Sequence, residues 1–269
     1  MSYRFGLDEW FVVELARTVH DSEVVFHGFG SPCATVAMHL AKRTHAPSAL
    51  LIEGAMYAVN PYPAFIPPTS NDHSLKQGAV YSMRFEEAFD MSVRGEVDHM
   101  FLSGIQIDSF GNTNVTAIGP MPTPKVKLGG GGGGCNMSAT IRRLTLWTTN
   151  HRPGRCLVEK CDFVTDLGHS TREGTRLDLG YTGGGPQALI TELGVFDFPE
   201  GRARLRALFP DVTRREVAEA TGFDYLEAPD LGPLERPARS QIEHIRTIDP
   251  LSVRRSEFRP AELERTFPL

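Results

Sequence analysis

Residues 24–54 read VVFHGFGSPCATVAMHLAKRTHAPSALLIEG, and this stretch decides the fold. Val24 to His27 is a short apolar strand. Gly28, Phe29, Gly30, Ser31 and Pro32 then turn the chain into a helix from Cys33 to Arg43, whose first turn tolerates Pro32 because the missing N–H has no helical partner there. After a break at Pro47, Ala49 to Ile52 forms a buried strand. A strand, a helix and a second strand in this order imply a parallel pair with a crossover. Upstream, Phe11, Val12, Leu15, Ala16 and Val19 recur at helical spacing between Asp8 and Val19, with Asp8 or Glu9 suited to the helix start. Further strands are expected over 99–107, 145–149, 156–158 and 189–195. A helix is expected from Thr213 to Thr221, where Thr213 and Glu216 stand in capping-box spacing. The predicted class is α/β, with an open, mainly parallel sheet flanked by helices.

Composition narrows the function. The chain has 269 residues, 41% hydrophobic and 23% charged, enough apolar material for a substantial core. A net charge of -5 and a pI near 6.0 argue against sequence-independent binding of nucleic acid, which needs a surplus of Lys and Arg. The first residues mix acids into their apolar stretch, unlike a secretory signal, and no apolar run has the length of a membrane span. A cytoplasmic protein is expected. Cys33, Cys135, Cys156 and Cys161 share no CxxC spacing, and the histidines show no ligand spacing, so no metal is assigned. A single domain over 1–232 is expected. Residues 233–269, charged and Pro-containing, read as a tail packed on a partner or partly mobile.

Three segments carry candidate chemistry. The first is Gly129 to Gly134, an unbroken glycine run ahead of a helix start at Asn136 or Ser138. Ordering six glycines costs roughly 3–6 kcal/mol relative to alanine, so an ordered run needs a compensating use. Its backbone N–H groups, with a helix N-terminus behind them, suit an anionic or developing oxyanion oxygen. A flexible surface linker is the other reading of a bare glycine run. The second segment, GIQIDSFGNTNV over 104–115, is a strand and turn in which Gln106, Asp108, Asn112 and Asn114 serve either a ligand or local backbone bonding. The third is Glu53, which closes an apolar strand. Ligands bind beyond the carboxyl ends of strands in open parallel sheets, and a carboxylate there can attack a thioester or accept a proton. A solvated strand-end residue is its plain alternative.

Gly28-x-Gly30 after a strand, with Glu53 some distance on, also fits a nicotinamide oxidoreductase. The third glycine of that motif is replaced by Cys33, and a dinucleotide fold has no need of the late glycine run. A non-catalytic scaffold completing a partner's pocket is a further alternative. Cys135, beside a helix N-terminus, reads as a nucleophile or as a packed small residue.

Taken in order, these segments resemble the beta subunits of class I coenzyme A transferases, including the glutaconate type. Gly28, Gly30 and Pro32 resemble the family's GxGxP turn, and GIQIDSFGNTN its GxxQVxxxGDxxN segment. Lys125, Val126 and Lys127 precede the glycines as PxKxVKGxGGA does. VEKCDFVT, LITELGVFDF and FPDVTRREVAEATGFDY resemble its EKC strand, its ITDLxVF strand and its VTxEEVxxxTGxDF closing helix. The resemblance implies the class I coenzyme A transferase beta-subunit fold and a homologous alpha subunit in an α2β2 heterotetramer. It also implies an acyl-CoA substrate, with coenzyme A entering as part of that substrate and no tightly bound cofactor. It implies Glu53 as the catalytic carboxylate. Gly28, Gly30, Gln106, Asn112, Gly131, Gly132, Gly133, Gly134, Cys135 and Asn136 are the implied substrate and oxyanion contacts.

The sequence departs from the family in two places. The family has Glu-x-Gly at the nucleophile, whereas Glu53 and Gly54 are adjacent. Aligning the glycines puts Ile52 at the catalytic position, and one step along a strand reverses the face. In the glycine motif, the Asp of GGANDIA is replaced by Met137 while Asn136 is kept. These departures, with the extended glycine loop and the tail, resemble actinobacterial CoA-transferase-like hydrolases of steroid catabolism. The resemblance implies water attack and retro-Claisen cleavage of a cholesterol-derived, CoA-linked diketone. CoA transfer to a carboxylic acid is the alternative.

Overall fold

The computed structural model describes residues 3–269, which fall into two compact units. One runs to Phe101 and resumes over Glu235–Leu269. The other is Leu102–Leu234.

The first unit opens with β1 (Arg4–Gly6) and α1 (Leu7–Arg17). Leu7, Trp10, Phe11, Leu15 and Ala16 are fully buried, as their helical spacing requires. β2 (Val24–His27) leads into α2 (Pro32–Arg43), where Ser31 Oγ accepts the Ala34 N–H at 3.1 Å and Pro32 occupies the first turn. β3 (Leu50–Glu53) then lies parallel to β2. The expected strand, helix and strand are therefore present within a residue of their predicted bounds. The sheet adds β4 (Ala58–Val59) and β5 (Tyr81–Ser82) antiparallel beyond β3. After α3 (Phe85–Val93), β6 (His99–Ser103) pairs parallel to β2 on its other side.

The second unit begins with two hairpins, β7 (Gln106–Ile107) with β8 (Thr113–Asn114), and β9 (Ala117–Ile118) with β10 (Val126–Lys127). The strand expected over 99–107 is thus broken at Gly104, where a Cβ would meet the Gln106 carbonyl at 2.8 Å. α4 (Gly134–Thr140) follows the glycine run and starts two residues ahead of Asn136. β11 (Arg143–Thr148), the small β12 (Ser170–Thr171) and β13 (Gly174–Thr175) hairpin, β14 (Pro186–Thr191), β15 (Gly194–Asp197) and β16 (Arg204–Leu208) come next. β11 is parallel to β14, while β15 runs antiparallel to both β14 and β16. The single strand expected over 189–195 is instead this β14–β15 hairpin. Thr191 Oγ1 accepts the Leu193 and Gly194 N–H groups and closes the turn. Residues 156–158 contribute only an isolated bridge between Ile107 and Leu157.

α5 (Arg214–Ala220) carries the predicted capping box: Thr213 Oγ1 accepts the Glu216 N–H at 3.2 Å, and Glu216 Oε2 accepts the Thr213 N–H at 2.7 Å. Thr213→Ala should cost about 1 kcal/mol, read as a lower denaturant midpoint at unchanged m-value. β17 (Leu226–Pro233) pairs parallel to β16. Ile107, Leu146, Leu157, Leu189, Phe196, Leu205 and Val217 form the fully buried core of this unit. Each contributes roughly 1.5–3 kcal/mol through burial.

The stretch read from sequence as a tail folds back into the first unit. α6 (Arg239–Ile248) buries Ile242, Ile245 and Ile248 and packs on α2. Beyond α7 (Pro260–Leu263), β18 (Thr266–Pro268) pairs antiparallel with β1. Phe267 meets Trp10 edge-on at 4.9 Å. Three isoleucines spaced i, i+3, i+6 among charges are an amphipathic helix signal, and the aromatic contact supplies its anchor at the chain end. Among the described residues, no helix is long and apolar enough to cross a membrane.

Candidate active site

In the first unit, β3 delivers Glu53 to the carboxyl end of the sheet, flanked in register by His27 on β2 and by Ala58 on β4. Parallel partners in register share a face. The opposite face is marked by Gly54, where a Cβ would stand 2.7 Å from Phe26 Cζ. Glu53 and His27 therefore occupy one face, while Ile52, Phe26 and Gly54 occupy the other. Gly54 is held there by its N–H, which donates to the His27 carbonyl at 2.7 Å.

Glu53 is 1% exposed, and neither carboxylate oxygen has a hydrogen-bond partner within bonding distance. Burial pushes its carboxyl up to about 8, with the Ala55 backbone amide opposing the rise. It is not a solvated strand-end residue. His27 is 4% exposed with both ring nitrogens unpartnered, and burial pushes its imidazole down to about 4. A histidine ending a strand before a glycine carries no motif of its own. Only the pairing register makes it a neighbour of Glu53.

Gly28 directly follows His27. Gly30, at φ +87°, makes the left-handed turn that a side chain disfavours. It borders a cleft of about 380 Å³ at the start of α2, lined also by Ser31, Thr35, Pro67, Ser70 and Glu257. Glu257 accepts the Cys33 N–H at 3.3 Å, and its carboxyl is pushed up to about 7 by burial.

In the second unit the structure brings the GNTN turn and the glycine run together. Gly130 N–H donates to the Val115 carbonyl and Leu128 N–H to that of Thr116, so the strand leaving the turn anchors the loop. Gly130 and Gly132 adopt φ of +85° and +53°. At Gly131 a Cβ would meet Thr165 Cγ2 at 2.7 Å. Thr165 cannot readily yield, because its Oγ1 accepts the Val115 N–H and bonds Thr116 Oγ1. Among the described residues, the N–H groups of Gly131, Gly132 and Gly133 meet no acceptor within the chain, while that of Gly134 donates to Gly131 O at 2.8 Å. A tethered loop with three unspent amides differs from a floppy linker and suits an anionic oxygen.

Gln106 and Asn112 spend their polar groups locally. Gln106 bonds Asn114 and Asp162, while Asn112 donates to Asp108 and to the Ser170 carbonyl and accepts the Gly168 N–H. They fix the turn that carries the loop. Cys135, half-buried, points its Sγ at Asn136 Oδ1 at 3.4 Å, and Asn136 is exposed. Met137 is buried in α4.

Two supports lie outside the sequence motifs. Asp166 accepts from Thr113 Oγ1 at 2.6 Å, and its other oxygen lies on the Gly134 side of the loop. Arg176, buried, donates to the carbonyls of Ser138, Ala139, Leu167, Gly168 and Gly183, tying α4 to its surroundings. Neither residue sits in a pattern that sequence spacing would single out.

Comparison with known proteins fits this architecture. One chain of the two-part 3-oxoadipate CoA-transferase of Pseudomonas knackmussii is 31% identical over 91% of this chain and 94% of its own. The cholesterol ring-cleaving hydrolase IpdB subunit of Rhodococcus jostii is 28% identical over 87% of this chain and 91% of its own. The crystal structure of the decarboxylase AibA/AibB superposes with a TM-score of 0.83 at 29% identity, covering 94% of this chain and 98% of that one. The Coenzyme A transferase family profile matches residues 11–220, a span that takes in Glu53, the GNTN turn and the glycine loop, and on that match the chain belongs to the coenzyme A transferase family.

Proposed function

We propose that this chain is the beta-type subunit of a heteromeric enzyme acting on acyl-CoA thioesters, and that it transfers CoA to a carboxylic acid through Glu53. The buried, unpartnered carboxyl of Glu53 at the end of β3 is the observation that carries this reading. Desolvation strips a carboxylate of the water that blunts its nucleophilicity. Attack on the thioester carbonyl expels CoA thiolate and leaves an acyl-glutamyl anhydride. The thiolate then returns to give a glutamyl-CoA thioester, which passes CoA to the acceptor. The amides of Gly131, Gly132 and Gly133 are the proposed oxyanion donors, with Gly134, Cys135 and Asn136 shaping the loop. Gly28 and Gly30 line the substrate approach, and Gln106 and Asn112 hold the turn. The similar transferase chain is itself one subunit of its enzyme, which supports a homologous alpha partner.

A second reading is hydrolytic opening of a steroid-derived, CoA-linked cyclic diketone. It is favoured by Met137 in place of an acid and by the similarity to the IpdB subunit. Glu53, retained and desolvated rather than turned to solvent, moves the weight to transfer. Co-expression with an alpha-type subunit and mass analysis of products separates the two. Transfer gives a new acyl-CoA when a carboxylate acceptor is added, whereas the diketone yields a ring-opened acid only under the hydrolytic reading. Free CoA as the sole product from both mixtures contradicts both.

The loop has its own test. Gly131→Val, which drives a side chain into Thr165, should lower kcat roughly 10²-fold by displacing the amide donors. Its unfolding midpoint should move by no more than about 1 kcal/mol, because the loop lies outside the core.

A further inference from the structure

We propose that His27 is the proton acceptor that ionises Glu53, making a two-residue acid–base unit across β2 and β3; this rests on the reading of Glu53 as the reacting carboxylate. Register pairs the two residues directly, and the Phe26–Gly54 approach on the opposite face fixes the shared orientation of their side chains. Neighbouring strands stand about 4.8 Å apart, within reach of an imidazole and a carboxyl that rotate toward each other. The pair is not hydrogen-bonded in this structure. Both oxygens of Glu53 and both ring nitrogens of His27 are buried without partners. Leaving a buried polar group unmade costs about 1–3 kcal/mol, and two such residues side by side at a strand end call for a use.

The use follows from their chemistry. A desolvated Glu53 holds its proton near neutrality and is no nucleophile in that form. When substrate closes the site, the proton passes from a carboxyl oxygen to a ring nitrogen of His27. The product is a carboxylate beside an imidazolium, with no change in net charge and no co-reactant. The carboxylate then attacks, and the imidazolium returns its proton when the carboxyl is regenerated. Loose geometry before substrate binds is ordinary for such pairs. The rest of the shared face is nearly apolar: Val25 and Leu51 lie one pair below, Ala58 beside Glu53, and Phe101 on β6. His99, ring-stacked with Phe101 at 4.6 Å, is the other titratable group on that face, and the Ser31 backbone faces the imidazole from the start of α2. No charged partner competes for the proton among these.

The test uses His27→Gln and His27→Asn in the complex with its alpha-type subunit, beside Glu53→Gln. Each His27 variant should lower kcat about 10²-fold at pH 7 with KM within about twofold. Its kcat should then climb as pH is raised through about 8, because Glu53 must ionise unaided. A structural role would not produce that recovery. If Glu53→Gln is inactive while both His27 variants keep kcat and a flat pH profile, the pair is refuted and the reading of Glu53 stands. If Glu53→Gln retains turnover, the reading of Glu53 fails and the pair falls with it. Should one variant fail to assemble, the other supplies the profile.

Discussion

Glu53→Gln should lower kcat at least about 10³-fold in the assembled enzyme, while binding of the acyl-CoA changes little. The amide matches the carboxyl in shape, so Ala58 and His27 keep their places, but it has no lone pair able to displace a thiolate. The substitution also has a stability signature in the chain alone. Burial raises the Glu53 pKa from 4.5 to about 8, so the unfolded state ionises first. Below about pH 4.5 the carboxyl is protonated in both states and contributes no penalty. As pH rises toward 8 the folded chain loses stability relative to the unfolded one, by about 1.4 kcal/mol per pH unit at most. Glu53→Gln removes that part of the slope. Glu14 and Glu257, both pushed to about 7 by burial, keep theirs. The comparison is therefore the difference in slope between the two proteins in denaturant titrations from pH 5 to 9. Parallel slopes would contradict the buried acid.

Arg254→Ala should destabilise the first unit by about 3–5 kcal/mol. Its guanidinium is buried and lies 2.8 Å from both Asp8 on α1 and Asp249 after α6. Burial raises the Asp8 pKa, and Arg254 is the largest influence against that rise. Truncation leaves two buried carboxylates uncompensated, since Arg246 is engaged with Glu9. The loss should appear as a lower denaturant midpoint, and acidification should recover part of it by protonating Asp8. An unchanged midpoint would mean that the returning segment is not anchored by this pair.

Legibility in the sequence followed the range of the interactions. β2, α2 and β3 could be read because their signals are local: an apolar run, Ser31 with Pro32 at a helix start, and a break at Pro47. The Thr213 and Glu216 capping box was visible for the same reason. Local pattern could not show that Gly104 and Thr191 break apparently continuous strands. Both breaks depend on close approach to residues elsewhere in the chain. The two-residue strands β4 and β5 are too short for any periodicity. The charged C-terminal segment hid three isoleucines whose partner helix lies some 200 residues earlier in the sequence.

At the candidate site, Glu53 and the glycine loop were legible as types of residue, but not their surroundings. Sequence left open whether Glu53 faces the useful side of its strand, and register with His27 places it opposite Ile52. The same register raised His27 from a histidine without ligand spacing to the neighbour of the reacting group. Gln106 and Asn112 could be spotted as polar residues in a turn, yet their local bonding emerges only once Asp162, Gly168 and Ser170 are folded beside them.

The most direct measurement is the mass of the Glu53 peptide from the assembled enzyme quenched during turnover with an acyl-CoA. The account predicts CoA joined to Glu53 as a thioester in the wild-type chain and none in Glu53→Gln. An unmodified Glu53 peptide, recovered while product is accumulating at the full rate, would contradict it.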